Sequence, residues 1–125
     1  MRYLLDANAC ILLLAGHTNL VMRAADCDED DLAISAIAFA EVAVGSWKGK
    51  KPSPLALVNM RQRIPVVPFD EEAARVYAGL PFKRGSYDRL IGAHALALNL
   101  TLITANERDF TDIPGLAVEN WTLPL

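Results

Sequence analysis

Acidic residues stand beside apolar segments at four places in this sequence. Asp6 closes the run "YLL", Glu41 lies within the otherwise apolar "ISAIAFAEVAVG", Asp88 follows Ser86 by two residues, and Asp109 lies in "TANERDF". Carboxylates brought close together resist ionising unless a cation lies among them. If these acids converge, they therefore predict a site for a hard divalent cation such as Mg²⁺ or Mn²⁺. The lack of a Cys/His set argues against zinc.

The pattern of apolar residues predicts the elements that must position these acids. Short apolar runs predict five strands, at 2–5, 31–35, 65–69, 100–104 and 116–120. Segments with a 3.6-residue period predict helices at 8–15, 18–26, 36–49, 54–63, 70–80 and 86–98. Strands that are apolar throughout and joined by helices are typical of a parallel sheet covered on both faces. We therefore expect an α/β fold, a three-layer sandwich with a central, mainly parallel five-stranded sheet.

The predicted topology brings the acids to one edge of the sheet. Ligands of such sheets bind beyond the carboxyl ends of the strands. Asp6 follows the first strand, Glu41 lies about one and a half turns into the helix after the second, and Asp88 lies in the first turn of the last helix. Asn106 and Asp109 follow the fourth strand. Four elements are thus expected to deliver oxygen ligands to one crevice.

Each acid also has a simpler explanation. Asp6 could cap the next helix, Asp88 could be an ordinary acid of a first helical turn, Asp109 could be a loop residue, and Glu41 could face solvent. A receiver-type phosphoacceptor domain fits poorly, because no strand-end Lys follows "TLIT". A phosphatase with an Asp nucleophile would need a second Asp where Asn8 stands. A noncatalytic binding module with the same fold stays open as the alternative.

Length and composition limit the class of protein. With 125 residues, 53% of them hydrophobic, the chain suits one domain spanning 1–125. Its apolar runs fall short of the ~20 residues of a membrane span, so we expect no membrane association. The two cysteines, Cys10 and Cys27, lack the spacing of a disulfide framework, and we expect reduced thiols in the cytoplasm. The net charge of −3 argues against a general grip on nucleic acid, although a local basic patch could supply one.

Four segments together resemble the PIN-domain family, and closely the VapC ribonuclease toxins of bacterial toxin–antitoxin pairs. They are "YLLDANACI", "ISAIAFAEVAVG", "RGSYDRLIGAHALALNLTLITANERDF" and "PGLAVENW", in the family's order and spacing over nearly the whole chain. The resemblance implies a Mg²⁺-dependent endoribonuclease that cleaves RNA, forms a homodimer and is silenced by a cognate antitoxin. It also implies that Asp6 and Asp88 hold the Mg²⁺ ion, for which Mn²⁺ could substitute, and that Glu41 is the second acid.

The fourth acid departs from the pattern of the relatives. Many of them carry an Asp two residues after the Thr that ends the fourth strand, and this position is Asn106 here, with Asp109 three residues further on. Either residue could be the ligand. A neutral amide at this position would lower the charge of the site. Thr104 could add a hydroxyl contact.

Hydrolysis of a phosphodiester needs a hydroxide at neutral pH and compensation of the charge that builds on phosphorus, both of which a bound divalent ion supplies. Phosphate groups must be attracted by basic residues around the acidic crevice. The candidates are the lysines of "WKGKK" at 47–51, the arginines of "RQR" at 61–63, Lys83, Arg84, Arg89 and Arg108. Arg84 and Arg89 flank Asp88 and are expected to form a phosphate clamp. We expect His94, in "GAHALAL", to be a packed core residue and not a catalytic base.

Overall fold

The computed structural model describes residues 1–81 and 84–124. Its five strands are β1 Tyr3–Leu5, β2 Leu32–Ser35, β3 Val66–Val67, β4 Thr101–Ile103 and β5 Val118–Glu119. Its six α-helices are α1 Ala7–Leu14, α2 Thr18–Ala25, α3 Ala36–Trp47, α4 Pro54–Arg61, α5 Glu71–Ala78 and α6 Tyr87–Leu98. A 3₁₀ helix, Glu107–Phe110, follows β4. Within the described ranges, no helix is both long enough and apolar enough to cross a membrane.

The strands form one sheet in the order β3-β2-β1-β4-β5, and every pairing is parallel. The predicted α/β fold with a five-stranded sheet is therefore confirmed. From β1 the chain adds β2 and β3 on one side, and then crosses to add β4 and β5 on the other. A change of direction of this kind opens a crevice at the carboxyl ends of the two strands that flank it, here β1 and β4.

The core lies on both faces of the sheet. Successive residues of a strand point to opposite faces, yet Leu4 and Leu5 of β1 are both fully buried, as are Leu102 and Ile103 of β4. Helices must therefore cover both faces, which gives the three layers that the apolar strands predicted.

Side chains at the helix starts explain where the helices begin. The N-cap side chains accept a backbone N–H of the first turn in α1, α3, α4, α5 and α6, and they are Asp6, Ser35, Ser53, Asp70 and Ser86. These side-chain oxygens accept hydrogen bonds from N–H groups that have no partner within the helix. Two of the caps, Asp6 and Ser35, also lie at the carboxyl edge of the sheet.

β3 and α3 are shorter than predicted. The strand expected at 65–69 pairs only at Val66–Val67, because Pro65 and Pro68 lack the N–H that a ladder requires. The helix expected at 36–49 ends at Trp47, since Gly49 takes a left-handed conformation with φ of 82°. The 3₁₀ helix after β4 was not predicted.

Candidate active site

Asp6 is the most buried acid of the crevice. It follows β1 directly, is 4% exposed, and accepts the Ala9 N–H at 2.8 Å through Oδ1. Burial raises the pKa of Asp6, and the charges of Asp88 and Asp109 act in the same direction. Hydrogen bonds from the Thr104 hydroxyl and the Ala9 N–H oppose the shift without reversing it. Asp6 is thus a helix cap and, at the same time, a carboxylate held near other acids.

Glu41 and Asp88 reach the same crevice from α3 and α6. Burial raises the pKa of Glu41, and the charges of Asp88 and then Asp6 raise it further. Burial also raises the pKa of Asp88, aided by the charge of Asp109 and opposed by that of Arg89. Glu41 Oε1 is buried without a hydrogen bond to any described residue. The influence of Asp88 and Asp6 on Glu41 links the three acids electrostatically.

Asn106 and Asp109 occupy different positions in the loop after β4. The Asn106 N–H donates to Thr104 Oγ1 at 3.0 Å, and Asn106 is the residue before the 3₁₀ helix. Asp109 lies within that helix, and its charge raises the pKa of both Asp6 and Asp88. Both residues are exposed. The electrostatic coupling therefore favours Asp109 as the fourth acid, while Asn106 supports the Thr104 hydroxyl that contacts Asp6.

The donors fit a hard divalent cation in type but do not form a closed set of ligands. In residues 1–81 and 84–124, no three His, Cys, Asp or Glu side chains are grouped closely enough to hold a metal ion. Nearby acids nevertheless raise the pKa of Asp6 and Glu41, and one buried carboxylate oxygen of Glu41 has no hydrogen-bond partner among the residues that the structure describes. An oxygen donor set of this kind suits Mg²⁺ or Mn²⁺, which keep several water ligands and need few from the protein.

One of the two arginines expected to form a phosphate clamp is held in an ion pair. Arg89 forms an ion pair with Asp112, so its charge is partly committed within the protein. Arg84 is exposed beside the start of α6, and Lys83 lies outside the described residues. A cleft of about 600 Å³ opens beside Asp109 and is lined by Ala105–Asp109, Asn120 and Leu123. Of the two predicted clamp residues, Arg84 is the more exposed.

His94 lies in the interior, as the sequence predicted. It is 1% exposed, and Nδ1 lies 2.8 Å from Ser35 Oγ. Burial lowers the pKa of His94, while Asp70 and the Pro68 carbonyl oppose that shift. Ser35 is also the N-cap of α3, where it accepts the Ile37 N–H at 3.1 Å. The sequence reasoning missed Ser35, although a Ser between an apolar strand and "AIAFAE" is a recognisable cap signal.

Comparison with known proteins places the chain in a family. The PIN domain family model matches residues 3–116. Ribonuclease VapC2 of Rickettsia felis is 33% identical, over 97% of this chain and 98% of its own length. The tRNA(fMet)-specific endonuclease VapC of Salmonella typhimurium is 30% identical over 97% and 98%. In the crystal structure of Rickettsia felis VapBC2 bound to a promoter DNA fragment, the matching chain is 30% identical, with a TM-score of 0.85 over 97% of this chain and 99% of that one. This chain belongs to the PIN domain family and, within it, to the VapC ribonucleases.

Proposed function

We propose that this protein is a metal-dependent endoribonuclease that cleaves RNA phosphodiester bonds as the toxin of a toxin–antitoxin pair. What supports the proposal is that Asp6, Glu41, Asp88 and Asp109, carried by four different elements, are linked by electrostatic effects on one another's pKa. Three of these acids have pKa values raised by burial and by one another's charge. Groups held in this unfavourable state are typical of functional sites.

The acids have separate roles in this proposal. Asp6 and Asp88 would hold the metal, Glu41 would orient the attacking water or help to hold a second ion, and Asp109 would complete the site. Thr104 and the Asn106 N–H hold the Asp6 carboxylate in place. A bound Mg²⁺ or Mn²⁺ would supply the positive charge that makes water acidic enough to react and that offsets the charge on the reacting phosphate. Arg84, which is exposed, is proposed to bind a neighbouring phosphate.

The proposed partners are RNA, an antitoxin and a second copy of the chain. Matching solved structures include VapBC from Salmonella typhimurium bound to DNA and a toxin–antitoxin complex from Klebsiella pneumoniae. A cognate antitoxin is therefore the protein partner that we expect to silence this chain. A homodimer acting in the cytoplasm completes the proposal.

The test is cleavage of a panel of structured RNAs. It should include initiator tRNA, since a 30% identical relative is named for that substrate. We expect cleavage with Mg²⁺ or Mn²⁺, none with excess chelator, and none from Asp6→Asn in either condition. Metal-dependent cleavage by Asp6→Asn at the wild-type rate would contradict the assignment. RNA binding without cleavage under every metal condition would favour the noncatalytic module.

A further inference from the structure

Basic residues are segregated along this acidic chain. Residues 42–69 contain no Asp or Glu but carry five basic residues, Lys48, Lys50, Lys51, Arg61 and Arg63. The other seven Lys and Arg residues are set against all 15 Asp and Glu residues, so the rest of the chain carries −8 while this segment carries +5. Such a segment attracts polyanions that the molecule as a whole repels.

An exposed aromatic side chain directly precedes the three lysines in the chain. Trp47, the last residue of α3, is 90% exposed, whereas Trp121 is 2% exposed. Val44, one turn earlier on α3, is 53% exposed. Tryptophan is normally well buried, so an indole left in water beside basic groups points to a ligand that has both an aromatic face and negative charge.

The turn that carries these residues is well ordered by its own hydrogen bonds. The Lys50 N–H donates to the Gly45 carbonyl at 2.9 Å, and the Gly49 N–H donates to the Ser46 carbonyl at 3.1 Å. With Gly49 in the left-handed region, this is a Schellman motif. Lys48, Lys50 and Lys51 are all exposed, and none forms an ion pair with a residue that the structure describes. Their charges are therefore available to a ligand.

The turn is connected to the active site by one face of α3. Glu41 and Lys48 are seven residues apart, so they lie nearly on the same face, roughly 10 Å apart along the helix axis. Val44 lies between them on that face. An RNA strand that has its scissile phosphate at the acids and runs along α3 would therefore reach the lysines within a few nucleotides.

We propose that Trp47, Lys48, Lys50 and Lys51, here called the Trp47 patch, bind a single-stranded segment of the RNA substrate next to the scissile bond. The indole stacks on a base, and the ammonium groups contact the flanking phosphates. Stacking on an exposed aromatic ring combined with a basic track is how proteins hold single strands without reading base edges. The inference rests on the proposed ribonuclease function and adds to it a subsite outside the acid cluster.

Tryptophan fluorescence tests the patch independently of cleavage. Titration of the wild-type protein in chelator with a short, unstructured oligouridylate should quench the Trp47 emission. In Trp47→Phe, the remaining emission comes from buried Trp121 and should not change. Trp47→Ala should weaken binding roughly 5- to 150-fold, the range that corresponds to one lost base stack, while Trp47→Phe should keep most of the affinity.

The salt dependence of binding tests the lysines. Replacing Lys48, Lys50 and Lys51 by Gln should reduce the slope of log affinity against log salt by about 2, because each single-strand phosphate contact contributes ~0.7. Arg75→Gln is the control, since Arg75 is exposed on α5 and paired with Glu71. This control should leave the slope unchanged.

Cleavage kinetics separate the patch from the active site. In Trp47→Ala, KM for a long RNA should rise with kcat unchanged, and cleavage of a substrate too short to reach the patch should match wild type. If wild type cleaves RNA but Trp47→Ala binds and cleaves the long RNA normally, the patch proposal is wrong and the nuclease proposal stands. Normal RNA binding combined with altered dimerisation or antitoxin affinity would assign the patch to a protein partner. Absence of cleavage by wild type would contradict the nuclease proposal, and the fluorescence titration would still decide the patch.

Discussion

Opposing effects act on the pKa of Asp6. Its carboxylate caps α1 by accepting the Ala9 N–H, which favours the charged form, yet burial and two nearby acids raise its pKa. The sequence was sufficient to place Asp6 at the end of a strand. It could not reveal the hydrogen bond from Thr104, because that contact depends on β1 and β4 being neighbours in the sheet.

The first prediction concerns the effect of metal on stability. The proposed Mg²⁺ site exists only in the folded protein, so Mg²⁺ at about 100 times its Kd should stabilise wild type by roughly 2.7 kcal/mol. Asp6→Asn should lose most of that gain and several orders of magnitude in turnover. The fold should survive, because Asn is as good an N-cap as Asp. Melting curves of both proteins, with chelator and with excess Mg²⁺, check this, and an equal Mg²⁺ shift in both would contradict a shared metal site.

The second prediction distinguishes Asp109 from Asn106. Since the charge of Asp109 acts on both Asp6 and Asp88, Asp109→Ala should weaken Mn²⁺ binding by more than the roughly 10- to 100-fold typical of losing an outer-shell partner. Asn106→Ala should have the smaller effect, because its backbone N–H, which contacts Thr104, is retained. Mn²⁺ titrations of the two variants give the order. The reverse order would make Asn106 the ligand and Asp109 a loop acid.

At the scale of elements, the contact between Ser35 and His94 joins the two helices that carry Glu41 and Asp88. Ser35 caps α3, and His94 lies in the buried half of α6. The apolar periodicity predicted both helices, and His94 was correctly expected to be packed. The contact was not foreseeable, since the two residues are 59 positions apart and meet only when α6 packs beside the end of β2. The small residues of α6, Gly92, Ala93 and Ala95, are buried within the chain, and Gly92 leaves room for the side chain of Ile113.

The third prediction uses this contact. Ser35→Ala should cost about 1 kcal/mol for the lost cap and a further ~1 to 3 kcal/mol for leaving a buried ring nitrogen of His94 without its partner. Ser53→Ala is the matched control, because the Ser53 hydroxyl caps α4 at an exposed site, where it accepts the Ala56 N–H. Urea unfolding of the two variants measures the difference. Equal losses would show that the contact with His94 contributes nothing to stability.

At the scale of the whole molecule, the parallel sheet and its covering helices followed from the alternation of apolar strands and amphipathic segments. The sequence could predict which edge of the sheet holds the acids, because all carboxyl ends of a parallel sheet lie on one side. It could not predict how closely the acids approach, since that depends on the packing of α3 and α6 and on the 3₁₀ helix. It also did not predict that Arg89 would pair with Asp112. Ion pairs between distant segments leave no periodic signal in the chain.

The last prediction concerns how the stability of the metal-free protein depends on pH, since burial disfavours the charged form of its active-site acids. The folded pKa of Asp6 is raised above its ordinary value of 3.8, so between that value and the raised pKa the folded state binds more protons than the unfolded state. The free energy of unfolding therefore falls as pH rises through this window and is constant above it. His94 has a lowered pKa and acts with the opposite sign below pH 6.5, so wild type alone would show the two effects mixed.

The difference in unfolding free energy between Asp6→Asn and wild type removes the contribution of His94, which is common to both proteins. What is left is the contribution of the acids. In metal-free buffer, the stability of Asp6→Asn relative to wild type should increase as pH rises from about 4 and should level off once Asp6 is ionised in the folded protein. Loss of the Asp6 charge also relieves Glu41, which adds to the difference in the same direction. Urea unfolding of both proteins across pH 4 to 8 measures it, with saturating Mg²⁺ at neutral pH as the comparison in which wild type should regain the advantage. A difference that is independent of pH would mean that Asp6 ionises freely in the folded protein, and the crowding of acids on which the metal site depends would then be absent.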